Sequence, residues 1–479
     1  MARIRWTPSN AVNYVASLVP KTVQCVTQWL TCKGSASSHR RTSKSGSLLR
    51  HYCKPCLRFL VSVVLLASLI VALDHSISQG AILDFSKWTL AHVLRWTQKV
   101  TTDNIGSYKV VCYYTSWSQG RKEGGRFLPE NIDPFLCTHI FYAFAKISSG
   151  VIAPSHWQDE NDLYPRIMAL KGINPKLKVL LSVGGWELGS EPFMQVVSTA
   201  ASRAQFIRHV CGYLRMHKFD GLDLDWEYPA ARGSFPADKE RFTAFIKATK
   251  DAFEHEAIIS NRSRLLLTAA VPAAKHTIDA GYQVREIIRY LDFVTLMAYD
   301  LRGSWDQVTG CHSSLNVGPV DAGYQATLNQ DWAVQYWLEH GTPPDKLVLG
   351  IPAYGRSFMY SPESRSSGQL TGLSALGAGQ AGAYTGEAGF LAYYEICDNL
   401  YNGWSRGWSR EQKCHFVYNQ NTWVSYDNIY SVREKALYVK RHSLGGVMLW
   451  TLDLDDFSGT FCHQGKYPLL HTVLWVFST

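Results

Sequence analysis

The chain has 479 residues, enough for two to four domains or for one large α/β barrel with additions. Apolar residues make up 46% and charged residues 18%, which supports a sizeable core and excludes wholesale disorder. The net charge of +9 is uneven: ten Lys and Arg fall in the first 58 residues, which hold no Asp or Glu, leaving 38 basic residues against 39 acidic ones beyond them. A nucleic-acid-binding domain would spread basic charge over its folded surface, so confinement to an arm excludes that partner.

Residues 59–73 read FLVSVVLLASLIVAL, without a charge. The run is shorter than the roughly 20 residues that span a bilayer comfortably, but Arg58 can snorkel at its start. The basic flank puts residues 1–58 in the cytosol and everything after Asp74 outside or in a lumen. The expectation is a single-pass type II membrane protein, contacting the lipid bilayer through residues 59–73. The alternative is a signal cleaved after Gly80, giving a secreted product. Cys53 and Cys56 form a CxxC without a second ligand pair, and their place just inside the membrane suits palmitoylation. Residues 74–106 read as a stem that lifts the domain spanning 107–479. Seven cysteines follow (Cys112, Cys137, Cys211, Cys311, Cys397, Cys414 and Cys462), an odd number in a compartment that permits disulfides. Asn261-Arg262-Ser263 is a glycosylation sequon.

From Tyr108 onward, short β-branched runs alternate with longer helical stretches. The predicted strands are 109–114, 139–145, 178–183, 221–226, 265–270, 293–298, 347–351 and 447–450, and helices are predicted at 203–217 and 239–256. Several runs are apolar nearly throughout, as strands covered on both faces should be. Eight such units predict an α/β fold, a (β/α)8 TIM barrel, over a doubly wound open sheet. About 95 residues separate the last two strands, far more than one helix needs. They predict a small α+β insertion at about 357–426. Gly377, Gly379 and Gly382 match GxGxxG, but no buried strand precedes them, so they read as a surface loop.

The run Asp220-Gly-Leu-Asp-Leu-Asp-Trp-Glu-Tyr-Pro229 decides the chemistry. On a strand, Asp223, Asp225 and Glu227 share one face while Leu222, Leu224 and Trp226 share the other. In a barrel the acidic face is the interior, where three carboxylates are too costly unless they share protons and hydrogen bonds. Glu227 comes last, at the C-terminal mouth where barrel enzymes keep their chemistry. A Glu beside a buried carboxylate holds its proton and can donate it to a leaving oxygen. Asp225 can hydrogen-bond to Glu227 or swing away, and Asp223 can share a proton with Asp225. These carboxylates lie beside the acid rather than across a sugar from it, so the nucleophile is expected on the substrate.

This run resembles the DxxDxDxE signature of glycoside hydrolase family 18, the chitinases, of the animal chitotriosidase and acidic mammalian chitinase type. The resemblance covers about Tyr108 to Leu470. It extends to Ser182-Val-Gly-Gly-Trp186, Met297-Ala-Tyr-Asp300, Pro352-Ala-Tyr-Gly-Arg356 and the stretch from Met448 to Asp456. It implies hydrolysis of β-1,4 links between N-acetylglucosamine units of chitin and chitooligosaccharides, by an endo-acting monomer without metal or cofactor. The N-acetyl oxygen of the substrate would be the nucleophile, giving an oxazolinium intermediate and net retention. Glu227 would then be the acid/base, Asp225 would orient the acetamido group, Tyr299 would hydrogen-bond to it, and Asp223 would tune the protons. Phe144, Tyr228, Met297, Asp300, Tyr354 and Arg356 would line sugar subsites, with Trp450 as the floor under the reacting sugar. Trp117, Trp186 and Trp305 would stack on other sugars, and Glu387 would reach one from the insertion. The resemblance also implies Cys112–Cys137 and Cys397–Cys462 disulfides, and assigns no partner to Cys211, Cys311 or Cys414. Departures are the basic arm with its apolar segment, the lack of a chitin-binding module after the barrel, Glu187 where Asn is usual, and Phe390 where Met is common. A chitinase-like lectin typically loses the terminal Glu or the neighbouring Asp. Both are kept here, which favours the enzyme over the lectin, while the insertion and the Trp set, which suit a linear polymer in a long cleft, disfavour an endoglycosidase acting on N-glycans.

Overall fold

The computed structural model describes residues 100–479, apart from 320, 362 and 364–370. The basic arm, the apolar segment 59–73, Cys53 and Cys56, and the stem up to residue 99 lie outside the described residues. Among the described residues no helix is long and apolar enough to cross a membrane. The compact unit starts at Val100, earlier than the boundary at 107 read from the sequence. Ile105 accounts for the difference, because it is buried in the core around the barrel.

Eight parallel strands form the barrel: β1 (Lys109–Thr115), β2 (His139–Ser148), β3 (Lys178–Gly184), β4 (Gly221–Asp225), β5 (Leu266–Pro272), β6 (Phe293–Met297), β7 (Leu347–Pro352) and β8 (Gly446–Trp450). Each pairs with the next, and β8 pairs back with β1, closing the sheet. All eight predicted strands are present, with small differences at their ends. The predicted helices are present as Ala200–Met216 and Asp238–Ser260. The first is started by Thr199, whose side chain accepts from the Ser202 N–H; the second is stopped by Asn261 in the left-handed region.

Side-chain alternation divides the strands between two cores. Leu222, Leu224 and Trp226 face outward and pack with the surrounding helices. Val111, Phe141, Leu180, Phe293 and Val348 fill the barrel's interior, so it is a packed core and not a pore. Above that packing, Ser182, Asp223 and Thr268 are buried toward the C-terminal end.

The insertion is an antiparallel sheet beside a helix, Tyr393–Tyr401. Its first strand, Tyr354–Tyr360, follows β7 with only Ala353 between them, so the insertion begins slightly earlier than predicted. That strand pairs with Ala375–Ala378, Phe390–Ala392 and Thr422–Tyr426, and the sheet continues through Cys414–Tyr418 to Ser405–Ser409. The GxGxxG glycines do not form the surface loop expected of them. Instead Gly377 lies on the Ala375–Ala378 edge strand and Gly379 is buried, its N–H bonded to the Ser357 carbonyl, because this segment pairs along the insertion's first strand.

Cys112–Cys137 and Cys397–Cys462 are bonded as the resemblance implied. Cys311 and Cys414, left unassigned by the sequence, form a third bridge, and Cys211 is a free, half-buried thiol. The third bridge closes 103 residues of chain and ties the loop after β6 to the insertion sheet. Replacing both partners with Ser is expected to cost about 2–5 kcal/mol. The measurement is the thermal unfolding midpoint; an unchanged midpoint would show that the surrounding packing alone holds that loop.

Candidate active site

The polar end of the barrel is its C-terminal mouth. There β4 directs Asp223 and Asp225 inward, and Glu227 stands just past the strand's end. Gly184 lets β3 come close to β4: a Cβ at that position would lie 2.0 Å from the Asp225 carbonyl oxygen, and its φ of +124° suits only glycine.

Asp223 is fully buried. Its Oδ2 accepts from the Tyr113 hydroxyl at 2.8 Å and the Ser182 hydroxyl at 2.7 Å, and its Oδ1 accepts from the Thr268 hydroxyl at 2.7 Å. No hydrogen bond links it to Asp225, so the expected direct proton sharing gives way to three hydroxyl donors. Burial raises its pKa, and these three donors oppose the rise. Sequence reasoning missed Tyr113, Ser182 and Thr268. Their only signal was a hydroxyl at an inward position of an otherwise apolar strand.

Asp225 is 2% exposed, and its Oδ1 has no hydrogen-bond partner among the described residues. Burial pushes its pKa well up, and the neighbouring Glu227 and Asp223 push it further. Burial also raises Glu227, to about 7, against the hydrogen bond from Tyr228 and the charge of Arg232. Glu227 therefore keeps its proton through the mildly acidic range, where an ordinary carboxyl would have lost it. The pair titrates together, one proton being retained between two adjacent buried carboxyls.

Aromatic rings surround these groups. Trp450 ends β8, packs 4.9 Å from Tyr113, and lies nearly parallel to Phe144 at 5.8 Å. Phe144 in turn stacks on Trp117 at 5.9 Å, which carries the aromatic surface outward. Trp117, Trp186 and Trp305 are 46%, 57% and 59% exposed, far beyond what core packing allows. One face of Trp186 is covered by Arg232, whose guanidinium sits 3.6 Å from the ring centre and donates to the Glu227 carbonyl. Gly303 gives Trp305 room, because a Cβ there would lie 2.3 Å from its ring.

Across the mouth, Tyr299 and Met297 pack against the interior core, and among the described residues the Tyr299 hydroxyl has only the Met448 sulfur, 3.9 Å away. Asp300 accepts from Tyr354 at 2.7 Å and from both Nε and Nη2 of Arg356, at 2.7 and 2.8 Å. Although burial opposes it, this pairing holds Asp300 well below the usual carboxylate range. Arg356 reaches Glu387 of the insertion at 3.6 Å, and Phe390 stacks on Tyr354 at 4.5 Å. The barrel mouth and the insertion thus form one continuous rim. Asp223 lies buried below this rim. The other residues predicted to act on or bind substrate lie at or just past the C-terminal ends of barrel strands or in the insertion, and Asn261 is exposed at a helix end.

The model for glycosyl hydrolases family 18 matches residues 109–455. The chain belongs to glycosyl hydrolase family 18. The family 18 domain is 47% identical to mouse chitotriosidase-1 over 366 residues, 76% of this chain and 77% of that one. It is 43% identical to mouse oviduct-specific glycoprotein over 76% of this chain, but spans only 49% of that relative. A solved structure of human YKL-39, described as a pseudo-chitinase with retained chitooligosaccharide binding properties, superposes with a TM-score of 0.74 at 42% identity, covering 78% of this chain and all of that one. Family membership therefore fixes the fold and the glycosidase lineage, and the residues at the mouth must carry the case for catalysis.

Proposed function

We propose that the chain is a retaining, endo-acting chitinase that cleaves β-1,4 links between N-acetylglucosamine units by substrate-assisted catalysis. The observation that carries this reading is that Glu227, whose burial favours its protonated form, and a buried Asp225 whose Oδ1 has no partner among the described residues stand together at the mouth. Glu227 donates its proton to the glycosidic oxygen as the C1–O bond breaks. The acetamido oxygen of the same sugar forms the new bond to C1, giving the oxazolinium ion. Asp225 Oδ1 accepts from the acetamido N–H and holds that group under C1. The Tyr299 hydroxyl, bonded only to a weak sulfur acceptor, exchanges it for the acetamido oxygen. Glu227, now a carboxylate, takes a proton from the water that opens the ring, and the two inversions leave net retention. Trp450 supplies the flat floor for this sugar, while Trp117, Trp186 and Trp305 suit a linear polymer.

The test is a time course with N-acetylglucosamine oligomers, following products and their anomeric form. Expected are short oligomers appearing first as the β-anomer. Tight binding without any cleavage would assign the chain to the pseudo-chitinases instead.

We further propose that the domain works outside the cytosol, held by residues 59–73. Three disulfides and an exposed sequon at Asn261 support an oxidising compartment. A mobility shift of the expressed protein on enzymatic deglycosylation, lost in Asn261→Gln, is the expected result. An unglycosylated protein sensitive to protease only after cytosolic exposure would overturn it.

A further inference from the structure

His312 is a buried histidine that the mechanism above does not use. Its place is fixed from several sides: its N–H donates to the Ser425 hydroxyl at 3.1 Å, its carbonyl accepts from the Leu301 N–H at 2.9 Å, and the adjacent Cys311 is bridged to Cys414. The side chain is 0% exposed, and neither ring nitrogen has a hydrogen-bond partner among the described residues. Leaving both nitrogens of a buried ring unpaired costs stability, and a group kept at that cost calls for a reason. Nδ1 points at the sugar-binding carboxylate, 3.7 Å from Asp300 Oδ1, just too far for a hydrogen bond. The ring packs on Tyr354 with 5.1 Å between centres.

We propose that His312 is a positioning residue for Asp300, which in acid binds a proton and pulls Asp300 back from the sugar subsite. The inference rests on the chitooligosaccharide-binding reading of this mouth, and adds a control on it. Oδ1 of Asp300 is already shared by the Tyr354 hydroxyl and Arg356 Nε. His312 is fully buried and the Asp300 side chain is 36% exposed, so a protonated His312 brings a third, charged donor from the buried side. The charged and titratable groups facing the ring are Asp300, Asp427, Arg356 and Tyr354. Asp427 holds buried Lys435 at 2.5 Å and the Ser313 hydroxyl at 2.7 Å, and Asp300 is the carboxylate that lies 3.7 Å from Nδ1. Burial lowers the affinity of His312 for a proton, and the two carboxylates only partly restore it. The switch therefore lies below the ordinary histidine range: neutral His312 and forward Asp300 near neutrality, protonated His312 and withdrawn Asp300 in acid.

The test uses full-length protein carrying Glu227→Gln, so that substrate is bound and not consumed, with chitotetraose as the probe. Expected is a Kd that weakens at least about fivefold from about pH 7 to about pH 4.5. In His312→Gln, and in His312→Asn should Gln misfold, the Kd should stay flat over that range. Histidine-selective NMR gives the second readout. Burial lowers His139, His217 and His415 as well, so the His312 imidazole is assigned by its loss in His312→Gln. It should titrate below the ordinary range, and lower still in Asp300→Asn. A pH-dependent Kd that is unchanged in both His312 variants, or an imidazole indifferent to Asp300→Asn, would overturn the proposal while leaving the chitinase reading intact. No binding of chitotetraose at any pH would overturn both, and the NMR titration would tell that failure from a merely inert His312.

Discussion

Replacing Glu227 with Gln is expected to slow chitooligosaccharide cleavage by about 10³-fold or more while leaving binding nearly unchanged. Gln keeps the size and the polar contacts of the side chain and loses only the proton it delivers. Because burial raises Glu227 to about 7, the wild-type enzyme should hold its rate in mild acid and lose kcat/KM as pH rises through that value. The sign follows from the role: an acid must be protonated to act, and a raised pKa extends that state upward in pH. The residual rate of the Gln variant should lack this alkaline limb. The measurement is kcat/KM against pH for both proteins. A limb that persists in the variant would belong to another group and remove Glu227 from the proton transfer.

Asp225→Asn is expected to lower kcat by about 10²-fold or more, because the developing positive charge on the oxazolinium loses its adjacent carboxylate. Stability should move the opposite way. Asp225 is buried beside two other carboxyls with one oxygen unpartnered, so a neutral side chain of the same shape relieves repulsion. The thermal midpoint near neutral pH should therefore hold or rise as activity falls, as expected where a site is kept destabilised for function. A fallen midpoint with kcat preserved would make Asp225 structural.

Much of this site was legible because the strand period is short and strict. Placing Asp223, Asp225 and Glu227 on one face required only alternation, and the outward burial of Leu222, Leu224 and Trp226 agrees with it. The eight barrel strands were legible for the complementary reason that strands covered on both faces read as apolar runs. What the sequence withheld depends on partners from distant elements. Cys311 finds Cys414 only once the insertion sheet is folded, and nothing near either residue announces the other. His312 acquires meaning from Asp300, and Arg232 from Trp186, through loops whose paths have no period to read. The domain's start was misplaced for a like reason, since Ile105 stands alone among polar residues and only its burial marks it as core.

One junction bears on how a polymer enters. Between β7 and the first strand of the insertion there is a single residue, Ala353, and it is fully buried, with its N–H on the Trp450 carbonyl and its own carbonyl on the Tyr393 N–H. Such a joint has no slack, so the tall wall of the groove is continuous with the barrel and moves with it. On the proposed chitinase reading, a sugar chain gives up its own freedom on entering while this side of the mouth gives up little.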